Sequence, residues 1–374
     1  MAHPRRMRLL VVVQPPIGGV ARHVADLLPF LEPEEWDIEL FCPEGSIVWA
    51  AGAEQANVTL TAISGRRAPS PSDLATTWRL VGALRRADVV HAHSSKAGFQ
   101  VRALAALVGR GRRVVFTPHG WSFWAVGGWK GRVCAALERA GAWATHTIVC
   151  VAAYERDAGL REGVGRRSQY AVVPNGIELD RFMDGPAPVE GRLVMVARLA
   201  APARRPELLV AALPGLRAKH PSAHVVFVGD GPLRGALAAQ ASALGVADAV
   251  TLLGDRTDVP DQLKTAAVAV HACRYDGCSL AVIEAMAAGR PVVASRVGGM
   301  DEVVLEGSTG ELCSDDPEDW VATVATLLDD PLRAEAMGAA GRDRARERFA
   351  RERMAQAVTD VYRCVAQPLG LMGR

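Results

Sequence analysis

Residues 275–295 read YDGCSLAVIEAMAAGRPVVAS. A glycine-containing loop opens the stretch, a small-residue helix (AVIEAMAA) follows, Gly289 stops it, and VVAS reads as a buried strand. That loop–helix–strand grammar is the repeating unit of a parallel α/β sheet. The stretch also holds two acids, Asp276 before the helix and Glu284 one to two turns inside it. Between them lie the amides of Cys278, Ser279 and Leu280, at a helix N-terminus that favours a phosphate. Glu284 could serve as a structural cap or pair, but an acid among Ala, Ile and Met on a packed helix points to a ligand instead. The two acids are then spread along one elongated molecule, with a phosphate site between them.

The same grammar extends in both directions. Short apolar runs at 8–14, 37–43, 88–93, 113–120, 146–152 and 170–176 alternate with helical patterns. A Pro/Gly-rich segment, MDGPAPVEG at 183–191, reads as a linker. A second series of strands follows at 192–199, 224–231, 249–255, 266–273, 290–299 and 309–313. Continuous Val/Ile/Leu runs separated by helices imply parallel sheets covered on both faces. The expectation is two doubly wound α/β domains, at 1–182 and 192–350, with a helix at about 351–367 packing back on the first. Ligands of such sheets bind at the carboxyl ends of strands, which places the expected site in a cleft between the domains. Gly18-Gly19, His119-Gly120, Asn175-Gly176, Arg198 and Gly229-Asp230-Gly231 all fall at strand ends. Gly18-Gly19 could be purely structural. Arg198 and Arg204 suit a phosphate, and Arg205 reads as surface charge.

Composition sets the bounds. The chain has 374 residues, 49% apolar and 22% charged, with a net charge of +2. That excludes a strongly basic nucleic-acid binder. The charge is uneven, since residues 1–185 carry 22 Lys and Arg against 17 Asp and Glu, an excess that could face an anionic surface or could be ordinary fluctuation. Seven widely spaced cysteines without a C-x-x-C pair fit a reduced cytosolic compartment better than disulfides or zinc. The apolar run near the start reads as a first strand rather than a signal sequence, and no run of about 18 apolar residues exists to span a membrane.

The two acids closely resemble the E-x7-E signature of retaining GT-B glycosyltransferases of glycosyltransferase family 4, with Asp276 in place of the first Glu. The resemblance runs along nearly the whole chain. VVHAHSSKAG, VVFTPHGWSF, VVPNGIE, MVARL, FVGDGPLR, LLGDRTDV, EAMAAGRPVVAS and VGGMDEVV all look like family segments in family order. It implies that Glu284 accepts hydrogen bonds from a ribose, while Asp276 and the following amides hold the donor sugar. Arg198 and a second cation would hold the diphosphate, and His119 would lie beside the donor sugar near the reacting carbon. Arg256 would meet the base, and Gly19 the diphosphate and acceptor. The family usually places its second cation five residues after the Arg, where this chain has Ala203, so Arg204 is taken as the replacement.

The resemblance further implies a UDP- or GDP-linked sugar as donor, front-face attack without a covalent nucleophile, and no metal or other cofactor. No D-x-D at a strand end calls for a metal. The acceptor would be a glycan, a lipid-linked glycan or a small molecule bound by the first domain. Trp121, Phe123, Trp124 and Trp129 with Lys130 and Arg132 suit a membrane interface, a sugar-stacking pocket or plain core. The expected protein is cytoplasmic, with peripheral contact at the inner membrane face. A nucleotide-sugar epimerase and a non-catalytic sugar-nucleotide-binding subunit are the alternatives.

Overall fold

The computed structural model describes residues 5–65, 72–183 and 185–367, without the side chains of residues 72–75. The start of the N-terminal segment and Asp184 of the expected linker lie outside the described residues. Two compact units emerge, one formed by residues up to Gly176 together with those from Arg351, the other by Ile177–Ala350.

The first unit runs β1 (Met7–Val13), α1 (Gly19–Leu27), β2 (Trp36–Cys42), α2 (Ile47–Ala53), β3 (Val58–Ala62), α3 (Ser72–Arg86), β4 (Val89–His93), α4 (Ser95–Leu107), β5 (Val114–Thr117), α5 (Gly128–Ala142), β6 (Thr147–Cys150), α6 (Ala153–Arg161) and β7 (Tyr170–Val172). Its seven strands are all parallel, in the order β3-β2-β1-β4-β5-β6-β7. β1 lies inside the sheet with its Val and Leu side chains buried on both faces, and Val11 pairs with Leu40 on one side and His91 on the other.

The second unit runs β8 (Arg192–Val196), α7 (Pro206–Lys219), β9 (His224–Val228), α8 (Arg234–Ala243), β10 (Val250–Gly254), α9 (Val259–Lys264), β11 (Val268–His271), α10 (Leu280–Ala287), β12 (Val292–Ser295), α11 (Met300–Val303), β13 (Gly310–Cys313), α12 (Pro317–Asp329) and α13 (Pro331–Arg348). Its six parallel strands lie in the order β10-β9-β8-β11-β12-β13. The last helix, α14 (Arg351–Ala366), returns to the first unit. Its Met354, Val358, Tyr362 and Val365 complete the core around Leu9, Trp36 and Ile38.

Two features depart from the sequence reading. The chain leaves the first unit at Gly176 rather than at 182. Ile177 bridges Ala350, Phe182 is buried, and within the expected linker Val189 N donates to the Thr265 carbonyl of the second unit at 2.9 Å. β3 was not expected. Its sequence, VTLTA, alternates Thr with apolar residues at the sheet edge and no position in it is fully buried, so it lacks the continuous apolar run that marks its neighbours.

Candidate active site

Each sheet reverses its strand order once, between β1 and β4 in the first unit and between β8 and β11 in the second. The carboxyl ends at such switch points open into ligand crevices. The expected site residues follow the carboxyl ends of strands at or near these points, with Arg256 farther off beyond the edge strand β10, and each unit carries its own group.

In the first unit, Gly18 has φ of +90° and caps α1, so the exposed Gly19 begins the helix at the end of the short loop that follows β1. One turn on, α1 presents His23. β4 alternates its faces, so His91 and His93 project to the same side. His119 follows β5 in a left-handed turn (φ +52°), a conformation that surrounding contacts must hold. The holder is Glu155, a fully buried carboxylate at the start of α6. It accepts from Gly120 N at 2.5 Å and Val151 N at 2.8 Å, while its main-chain carbonyl accepts from Trp121 Nε1 at 2.6 Å.

Four imidazoles thus gather. His93 Nδ1 and His119 Nε2 share a hydrogen bond of 3.0 Å, and the rings of His23 and His119 meet edge to face at 4.8 Å. His91 bridges Tyr362 Oη at 2.6 Å and Thr117 Oγ1 at 2.8 Å, which makes it part of the packing. Burial lowers all four, with His23 near 4 despite its 3.0 Å bond to Asn175. Because Asn175 Oδ1 can only accept, His23 donates through Nδ1 and leaves the Nε2 lone pair free; that atom has no partner among the described residues. His23, His93, Asn175 and Glu155 were not singled out from sequence as site residues. Only Asn175 carried a signal, its place at a strand end.

In the second unit, β11 ends at His271, and the loop to α10 carries Asp276. Asp276 Oδ2 lies 2.9 Å from Arg204 Nη2 and 3.3 Å from His271 Nε2, and His271 Nε2 also meets Ser279 Oγ at 3.2 Å. Burial pushes the Asp276 carboxyl up, but Arg204 and His271 outweigh it and hold it at about 2. Arg204 reaches this position because its segment zips onto the strand-end loop. Arg204 bridges Cys273, Arg205 N donates to the Ala272 carbonyl at 3.0 Å, and Arg274 N donates to the Ala203 carbonyl at 2.9 Å. Side chains alternate along an extended segment, so Arg204 turns to Asp276 while Arg205 pairs with Glu207 and Asp315.

α10 begins at Leu280 after Ser279, the N-cap. Cys278 and Ser279 are buried, and Glu284 is half-buried on a helix whose Val282, Ile283, Ala285 and Met286 face the interior. The loop is held from behind by Gly298 (φ +56°), where a Cβ would come within 2.3 Å of the Asp276 carbonyl oxygen. Arg198 is exposed beyond β8 and has no partner among the described residues. Arg256 is also exposed and forks onto Asp258 at 2.7 and 2.8 Å. The structure therefore gathers Arg204, Asp276, Cys278, Ser279, Leu280 and Glu284 around one helix start, with Arg198 and Arg256 at neighbouring strand ends.

Among the described residues, two groups have possible metal-ligand atoms within 4.8 Å of one another, His23 with His93 and His119, and His271 with Cys273 and Asp276. The second is ill suited to a metal, because Asp276 is engaged by Arg204 and burial pushes the Cys273 thiol up to about 12.

Comparison with known proteins places this geometry. A family model described as Glycosyltransferase Family 4 matches residues 17–181, and one described as Glycosyl transferases group 1 matches 190–330. A GDP-mannose-dependent alpha-(1-6)-phosphatidylinositol monomannoside mannosyltransferase of Mycolicibacterium smegmatis is 35% identical over 62% of this chain, and the match spans 65% of that protein, just under two thirds. A glycogen synthase of Mycobacterium tuberculosis is 29% identical over 95% of this chain and 94% of its own. The crystal structure of Anabaena HepE in complex with UDP and glucose shares the fold, with a TM-score of 0.81 and 19% identity over 96% of this chain and all of that one. With each of its sheets and most of its length matched in order by these two models, the chain is of the glycosyltransferase family 4 type, with GT-B architecture.

Proposed function

We propose that the chain transfers a sugar from a UDP- or GDP-linked donor to an acceptor hydroxyl with retention of configuration. The observation that carries this reading is the Arg204–Asp276–His271 cluster at the start of α10, at the switch point of the second sheet. Glu284 accepts from the ribose hydroxyls. Asp276, a carboxylate throughout the working pH range, accepts from the donor sugar with the amides of Cys278, Ser279 and Leu280 beside it. Arg198 and Arg204 neutralise the diphosphate, and Arg256 meets the base. In the first unit, His119 serves the donor sugar near the reacting carbon and Gly19 gives close backbone approach. Catalysis rests on positioning and on stabilising the departing diphosphate. The front-face route has the departing phosphate oxygen take the acceptor proton while the new glycosidic bond forms.

Arginines and a helix N-terminus can supply that stabilisation, so we propose a metal-independent reaction. The acceptor is a glycan, a lipid-linked glycan or a small molecule. The lipid-linked choice is supported by the phosphatidylinositol mannoside in the mannosyltransferase's name, and it brings with it a cytoplasmic location and peripheral membrane contact through the first unit. A thermal-shift panel of UDP, GDP, ADP and their sugars tests the reading. One nucleoside diphosphate should raise the melting temperature, and Glu284→Gln should weaken its binding by roughly 1.5–3 kcal/mol. Transfer should survive excess EDTA. A protein that answers to no nucleotide overturns the donor reading. Loss of activity restored by Mg²⁺ or Mn²⁺ overturns the metal-free one. Conversion of donor without acceptor, seen by mass-resolved product analysis, would favour an epimerase.

A further inference from the structure

Helix α5 carries its hydrophobic residues on the wrong side for a core helix. Its buried positions are Ala135, Glu138 and Ala142. Its large apolar residues, Trp129, Val133 and Leu137, recur every four residues and are 71%, 47% and 50% exposed. At 100° per residue they form one stripe roughly opposite the buried side. Trp143, at the C-cap, is 91% exposed and continues the stripe, so two tryptophans stand about 20 Å apart along the helix. The aromatic residues that precede the helix are not part of this surface. Trp121 is buried and stacks on Phe123 at 5.5 Å, and Phe123 and Trp124 pack against the core.

The flanks of the stripe are basic. Lys130 borders one side, Arg132 and Arg139 the other, and all three are exposed. Between Ser94 and Thr145 the sole acid in the sequence is Glu138. Glu138 is fully buried against Arg102 at 2.7 Å and accepts from Ser122 at 2.8 Å, so it contributes no negative charge to the surface. Arg139 Nη1 donates to the main-chain carbonyl of Glu162 at 2.9 Å. An exposed apolar stripe ending in tryptophans and bordered by cations matches an anionic lipid surface, where Trp settles at headgroup depth and cations meet the phosphates. A second copy on a two-fold axis would instead set Lys130, Arg132 and Arg139 against like charges.

We infer that the outer face of α5 docks the protein reversibly onto an anionic bilayer. The inference deepens the proposed membrane contact by naming its surface, and it stands on the helix rather than on the choice of acceptor. The test is co-sedimentation of the full chain with vesicles of phosphatidylcholine alone and of phosphatidylcholine with about one-third phosphatidylglycerol, at low and physiological salt. Wild-type protein should pellet with the anionic vesicles and less so as salt rises. The triple variant Trp129→Ser, Val133→Ser, Leu137→Ser should stay in the supernatant, and Arg132→Gln alone should weaken binding about fivefold. Trp78→Ser, which removes an equally exposed tryptophan on α3 (79%), should bind like wild type. Nucleoside-diphosphate thermal shifts, read on the same proteins, should be unchanged by any of these variants, so failure of the donor reading and failure of the docking face are separately visible. Wild type that never pellets overturns the inference. So does a triple variant that binds normally, or sedimentation velocity showing that the stripe mediates a dimer.

Discussion

Arg204 and Asp276 neutralise each other at 2.9 Å, whereas Arg205, one residue on, is engaged by Glu207 and Asp315. The two arginines therefore differ sharply although they are adjacent. Arg204→Ala removes a diphosphate cation and also the partner that keeps Asp276 low, so turnover should fall by about two orders of magnitude. Arg205→Ala should cost less than threefold. Steady-state rates decide the matter, and the opposite ranking would remove Arg204 from the site. The histidine cluster gives a pH prediction. The folded His23 has its pKa near 4 against an ordinary 6.5, because burial disfavours the cation. The unfolded chain then binds the proton more tightly, so stability is full above pH 6.5 and is lost as pH falls toward 4. For His23 alone the loss between pH 7.5 and 5 is about 2 kcal/mol. Urea unfolding at the two pH values measures it, and His23→Gln should flatten the difference by that amount.

At the scale of elements, α4 and α5 are joined through a buried ion pair. Arg102 and Glu138 are 1% and 0% exposed and 2.7 Å apart, and the guanidinium lies 3.9 Å from the Phe116 ring centroid. Glu138→Ala would leave an uncompensated cation in the core, at a cost of about 3–5 kcal/mol. The expected result is a lower denaturant midpoint, together with loss of vesicle binding at temperatures where α5 loosens. A midpoint within experimental error of wild type would mean that Arg102 finds another partner or water.

For the molecule as a whole, the notable dependence is that of the first unit on a helix far away in sequence. α14 supplies Met354, Val358, Tyr362 and Val365 to a core otherwise built from residues before Gly176, and the Tyr362 hydroxyl satisfies His91. Ending the chain at residue 350 should expose that core while leaving the second unit's own cluster around Leu193, Phe227 and Val270 intact. Limited proteolysis with mass mapping should then show rapid cleavage within residues 5–176 and protection within 177–350. Equal resistance in both would show that α14 adds little.

Much of this was legible in the chain itself. Continuous apolar runs are buried on both faces of a parallel sheet whatever surrounds them, so all twelve expected strands begin within about two residues of the run that announced them, as Met7–Val13 and Val292–Ser295 illustrate. The spacing of Asp276 and Glu284 about a helix start could be read for the same reason, since a loop and one turn of helix set it locally. What required tertiary structure was everything fixed by a partner distant in sequence. His23 is oriented by Asn175, the His119 turn by Glu155, and Asp276 by Arg204. The aromatic cluster shows the same division. Composition announced tryptophans beside cations, but the choice between core and surface fell to the packing of α5. Ala135, Glu138 and Ala142 turn inward because Arg102 needs Glu138's charge in the interior, and that leaves Trp129, Val133 and Leu137 facing out.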